Sequence, residues 1–336
     1  MMLDLSLFSK YRSELMGVAT LLIILCHMPA HGVAMPSIVS SVIIYGGLGC
    51  DIFLFLSGMG MWYSLRKNET AGLGGAILWI KRRLIRILIP YLLFAIPCFA
   101  IYAIKDEWTI ETYLWRVSTL SFWTEGWGLW YISLTLVLYL ITPLLGKILC
   151  GTNKWVWLTI LVLLTWSLGS LPGLEGLAEH MRFAVCRVPS YLIGFSLAEK
   201  IKDGKLIKMI FLVIPLITLL AGSILLRFMG YVSFSLFWIE GIVLLICVTL
   251  MINGLKKYNC MLSTFAFIGG ISLESYCTNV FALLFFMYVP WYIGDVNINP
   301  GNWTYYVVGT ICCLVLSVII NRTSKKILNI FYAKKI

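Results

Sequence analysis

The sequence predicts an all-α protein, a polytopic membrane helix bundle of about ten transmembrane helices. Three observations predict it. Hydrophobic residues make up 60% of the chain and charged residues 12%, where a soluble domain carries about a quarter charged residues. Mean hydropathy is +0.93. Apolar stretches of about twenty residues, each long enough to cross the hydrocarbon core as a helix, recur from end to end. Finally, the positive charges gather between alternate stretches.

The stretches lie near 15–34, 39–62, 85–104, 129–149, 155–171, 183–198, 207–226, 232–252, 266–289 and 304–321. The first follows Arg12-Ser13-Glu14 and runs into Cys26-His27-Met28-Pro29-Ala30-His31-Gly32. The second opens with Gly46-Gly47-Leu48-Gly49-Cys50-Asp51 and reaches Ser57-Gly58, small residues that let helix backbones approach closely. The third follows the basic run Lys81-Arg82-Arg83-Leu84-Ile85-Arg86, and the fourth starts at Trp127-Gly128-Leu129-Trp130-Tyr131. The sixth is the shortest.

Alternating the loops across ten spans puts all but five of the 26 Lys and Arg residues on one side. The five opposite are Lys105, Arg116, Arg182, Arg187 and Arg227. Cytoplasmic loops hold the excess of Lys and Arg, so both termini are expected in the cytoplasm. The net charge of +11 therefore reflects topology, and the expected partner is the bilayer, not nucleic acid. No linker is long enough for a second globular unit, so residues 1–336 read as a single integral membrane domain with no fused soluble domain. The first apolar helix is too long for a cleaved signal peptide and lacks a small-residue cleavage site. The ten cysteines show no metal-ligand spacing, and no metal is expected.

His27 is the first candidate for chemistry. An ionisable residue inside a span is costly and marks a functional site, and imidazole can take and give a proton near neutral pH. Counting from Arg12, it lies fifteen residues up the first helix, roughly 22 Å at 1.5 Å per residue. A helix–helix hydrogen bond is the competing reading. A zinc site from His27 and His31 would need His180 or Asp51 as well. Asp51 itself needs a cationic or hydrogen-bonding partner, because an isolated buried carboxylate is costly. It either orients His27 as a general base requires or bonds to backbone at the span's end. Arg82 with Arg86, and Arg83 with Arg86, share a helix face. Such pairs suit phosphate, and equally an anionic lipid surface.

Together these segments resemble the acyltransferase-3 family of membrane O-acyltransferases, over nearly the full length. Leu25-Cys26-His27 is similar to the family's opening motif. Gly49-Cys50-Asp51-Ile52-Phe53-Leu54-Phe55-Leu56-Ser57-Gly58 resembles its Gly-Val-Asp-Ile-Phe-Phe-x-Leu-Ser-Gly signature, the most specific match. Lys81 to Tyr91 resembles its basic third-helix start, and Trp127 to Tyr131 with Tyr139 and Pro143 its fourth-helix start. Ile271-Ser272-Leu273-Glu274-Ser275-Tyr276 resembles its late Ser-x-x-x-Tyr stretch. The chain departs from the pattern at two positions. Met16 stands where many members carry arginine, with Arg12 one turn earlier on the same face. Asn279 stands where a histidine commonly follows the tyrosine.

The resemblance implies a multi-pass enzyme of the bacterial cytoplasmic membrane. It would transfer an acyl group, most often acetyl, from cytoplasmic acyl-CoA to a hydroxyl of an extracytoplasmic glycan or related envelope molecule. His27 would be general base or transient acyl carrier, with Asp51 or Arg12 setting its orientation and charge. Arg82, Arg83 and Arg86 would hold the CoA phosphates, and Trp130, Tyr131, Tyr276 and Asn279 would contact substrate. A secondary transporter or flippase, and a non-catalytic membrane sensor on the same fold, are the alternatives. The Trp and Tyr residues of the outer loops suit either sugar stacking or an interfacial belt.

Overall fold

The computed structural model describes residues 2–67, 72–170, 179–210, scattered positions between 214 and 225, 236–288, 291–293, 296–298 and 303–333. Helices dominate it. In chain order they are α1 (Ser6–Lys10), α2 (Arg12–Cys26), α3 (Ser37–Ile43), α4 (Gly49–Arg66), α5 (Gly72–Lys105), α6 (Ile110–Val117), α7 (Leu120–Glu125) and α8 (Trp130–Leu149). There follow α9 (Lys154–Ser170), α10 (Glu179–Val185), α11 (Val188–Lys202), α12 (Phe237–Gly254), α13 (Asn259–Gly270), α14 (Ser272–Tyr288) and α15 (Trp303–Ala333). A short antiparallel pair joins β1 (Met2–Asp4) to β2 (Leu206–Lys208), with Leu3 opposite Ile207. A second pairs β3 (Trp291–Ile293) with β4 (Val296–Ile298).

Among the described residues, six helices are long and apolar enough to cross a membrane, or seven if the bent pair α13–α14 is one span. The expected stretches near 155–171 and 183–198 appear as α9 and α11, of 17 and 15 residues. Half of the expected stretch near 207–226 lies outside the described residues. Apolar side chains such as Leu140, Leu163, Ile311 and Ile319 are exposed on the outside, as a lipid-facing surface requires. The protein is a membrane helix bundle.

Lipid supplies no hydrophobic drive between helices, so close backbone packing does the work. A Cβ on Gly58 of α4 would overlap the Tyr191 carbonyl of α11, and one on Gly194 would overlap the Phe55 carbonyl. The same device joins α2 to α13, where Gly17 meets the Phe265 carbonyl and Gly269 the Ser13 carbonyl. Two helices depart from the sequence expectation. The first apolar helix stops at Cys26, with His27 as its C-cap and not an interior residue. Pro29 then starts a single 3-10 turn that Gly32 closes at φ 75°. The expected continuous helix over 266–289 is broken at Ile271, where α13 and α14 meet at 67°. Gly269-Gly270 is a poor helix sequence, and Gly269 is committed to its contact with α2.

Candidate active site

A cavity of about 290 Å³ is lined by residues of α2, α4, α5, α8 and α14. Arg12, Arg83 and Arg86 line it, with Ser57, Tyr131, Tyr139 and Tyr276 among the polar groups. Arg12, in the first turn of α2, reaches it because Gly60 on α4 leaves room: a Cβ there would sit 3.1 Å from the guanidinium. Arg83 donates to Ser64 Oγ, which also accepts from Trp79 Nε1 at 2.7 Å. Arg83, half-buried, and Arg86, exposed, both line the cavity, whereas Arg82, also exposed, does not. The arginine trio is therefore Arg12, Arg83 and Arg86, not the expected Arg82, Arg83 and Arg86. Helical period alone leaves both open, since residue 86 lies between 82 and 83 around the helix, about 40° from one and about 60° from the other.

Beside this cavity lies a small void of about 10 Å³, sharing Phe53, Ser272 and Tyr276 with it and bounded by Thr20, Ile23, Ile24, Ser275 and Asn279. Tyr276 Oη accepts the Tyr131 backbone N–H at 3.3 Å, which ties α14 to the start of α8. Beyond Asn279 stands His27. Asn279 Oδ1 is 2.9 Å from His27 Nδ1. An amide oxygen only accepts, so Nδ1 carries the proton and Nε2 presents a lone pair. His27 itself is half-buried, so the ring is held on one edge. Next to it, the His31 ring lies 6.4 Å from that of His27 and 5.8 Å from Tyr306. Tyr306 in turn donates to the Ile24 carbonyl and clamps the end of α2.

Of the two roles the sequence leaves open for Asp51, orienting His27 is not the one seen. The Asp51 carboxylate is taken up by Arg187, 2.5 Å away, and by Ser190 Oγ at 2.9 Å. Arg187 also donates to the Gly47 carbonyl at 3.1 Å. Phe183, Phe237 and Trp130 surround its guanidinium at 4.7, 4.8 and 5.3 Å. Asp51 and Arg187 are 1% and 2% exposed, and Gly241 of α12 packs directly on the carboxylate's own Cβ. The pair pins α4 to α11. Trp130 belongs to this cluster and not to the cavity lining. Arg12 is also excluded as the group that orients His27, because it stands at the opposite end of α2.

The ion pair is what sequence alone misses. Arg187 reads there as one of the few basic residues of the outer side. The signal that it belongs inside is its position within the apolar stretch near 183–198, with Pro189 in the first turn of α11. The three histidines part ways: His180 packs on Phe122, with ring centroids 5.4 Å apart, while His27 and His31 share one turn.

A family profile described as an acyltransferase domain matches residues 15–322. The chain belongs to the acyltransferase-3 family. No curated protein and no solved structure matches it. This acyltransferase thus has its cavity, its small void and His27 almost wholly inside the family region. Arg12 precedes that region by three residues, and the last eleven residues of α15 follow it.

Proposed function

We propose that this membrane acyltransferase moves an acetyl group from cytoplasmic acetyl-CoA to a hydroxyl of an extracytoplasmic glycan or related envelope molecule. The observation that carries the reading is the adjacency of three features. These are the arginine-lined cavity, the small void beside Tyr276, and the His27–Asn279 pair that adjoins it. Phosphates suit the arginine end, which the excess of basic residues puts on the cytoplasmic side.

Arg12, Arg83 and Arg86 hold the donor's phosphates while its pantetheine arm lies along Tyr131, Tyr139 and Tyr276. The acceptor hydroxyl approaches His27 Nε2. As its oxygen forms a bond to the thioester carbon, its proton passes to Nε2, and Asn279 keeps Nδ1–H in place throughout. The carbon–sulfur bond then breaks, and the departing thiolate takes the proton back from the imidazolium. Ester and CoA thiol are the products, and the base is regenerated. Asp51 and Arg187 act at a distance, by holding α4 and α11 where these groups converge.

The test uses purified protein, radiolabelled acetyl-CoA and an envelope-glycan extract, with wild type beside His27→Ala. General-base assistance is worth about 10²–10⁴-fold, so the variant should insert and fold normally while transfer falls by that range. A folded variant that transfers label at the wild-type rate refutes the role of His27.

A further inference from the structure

A second cavity, of about 470 Å³, adjoins the arginine cavity and shares Met16, Arg86, Ser272 and Leu273 with it. Its far wall is the last part of α15, largely beyond the region matched to the family. Asn321, Lys325, Asn329 and Tyr332 line it. Their spacing of four, four and three residues places them on one helix face. An amphipathic helix end would ordinarily put apolar residues on a packed face. Here the face that lines the cavity is polar apart from Leu328, and the neighbouring Ile330 and Phe331 are exposed.

The wall is held at both ends. Asn321 Nδ2 donates to Glu274 Oε1 at 2.9 Å and to the Gly270 carbonyl at 3.2 Å, fastening α15 to the break between α13 and α14. Tyr332 Oη donates to the Arg82 carbonyl at 3.3 Å, fastening it to the basic start of α5. Asn321 donates to one oxygen of Glu274, a carboxylate that also lines the cavity and attracts Lys325; Lys325 and Arg86 are the cations of the lining.

We infer that this polar face of α15 binds the adenosine phosphate half of the donor. The inference rests on acyl-CoA being that donor. A cavity of about 290 Å³ falls at the lower end of sites for drug-sized ligands, roughly 300–1,000 Å³. It has room for the pantetheine arm but not for the nucleotide as well. The adjoining space supplies that room, and its groups match the missing chemistry. Lys325 and Arg86 offer charge-assisted hydrogen bonds to phosphate. The Asn329 amide can donate to and accept from a purine edge, and Tyr332 offers an aromatic face.

Calorimetric titration of the full-length protein with CoA tests this without knowledge of the acceptor. The variants are Lys325→Gln, Asn329→Ala, Arg83→Gln and Lys326→Gln. Lys326 is the neighbouring exposed cation that does not line the cavity. Lys325→Gln should weaken CoA binding about tenfold, Asn329→Ala severalfold, and Lys326→Gln not at all. Dephospho-CoA should bind more weakly than CoA to wild type, and Lys325→Gln should shrink that difference. Equal losses in Lys325→Gln and Lys326→Gln would mean a general positive field and would overturn the subsite. If Arg83→Gln weakens CoA while Lys325→Gln and Asn329→Ala bind as wild type, the donor reading stands and the subsite falls. A wild type that binds no CoA removes both.

Discussion

Asn279 offers the sharpest test of how His27 is held. Replacing it with leucine, close in size, removes the acceptor 2.9 Å from His27 Nδ1. The buried N–H then has no partner, and the ring loses what fixes its tautomer and its angle. Leaving a buried donor unsatisfied costs about 1–3 kcal/mol. If that cost falls on the reacting geometry, turnover drops roughly 5- to 150-fold, at 1.36 kcal/mol per factor of ten. The donor cavity is untouched, so the KM for acetyl-CoA should hold. Asn279→Asp restores an acceptor at the same place and should keep most of the rate. The assay is initial-rate transfer by the purified variants, with thermal unfolding as the control for fold. Wild-type turnover in Asn279→Leu would refute the role, and so would equal losses in the leucine and aspartate variants.

Other consequences follow from the same geometry. Arg187→Met leaves the Asp51 carboxylate buried without its cation, a change worth about 3–5 kcal/mol. It should abolish accumulation of folded protein, and adding Asp51→Asn should recover much of the loss in an unfolding assay. Arg83→Gln with Arg86→Gln should raise the KM for acetyl-CoA severalfold with the amount of inserted protein unchanged. Arg82→Gln alone should not, because its side chain is exposed outside the cavity.

Much of this protein is legible in its sequence. Hydropathy and helical period belong to contiguous residues, so a run such as Trp130–Leu149 announces a span wherever it sits. The Gly49–Gly58 signature, the basic start of α5 and the late Ser-x-x-x-Tyr stretch likewise point to the acyltransferase-3 family without any coordinates. His27 stands out for the same local reason, as an ionisable group within an apolar run.

The partners of these residues are another matter, because they come from far along the chain. Asp51 meets Arg187 across 136 residues, and His27 meets Asn279 across 252. No spacing rule reaches that far. Which cation neutralises Asp51 depends on α4 and α11 touching backbone to backbone at Gly58 and Gly194. Which group faces His27 depends on the break at Ile271, which turns α14 toward the end of α2. The polar face of α15 gains its meaning only once it is seen to wall a cavity beside Arg86. Sequence alone determined that the chain is a membrane helix bundle and which family it belongs to, since hydropathy, helix formation and contiguous motifs are local. Tertiary packing decided the pairings, since a buried charge or donor takes whichever partner the converging helices bring within about 3 Å.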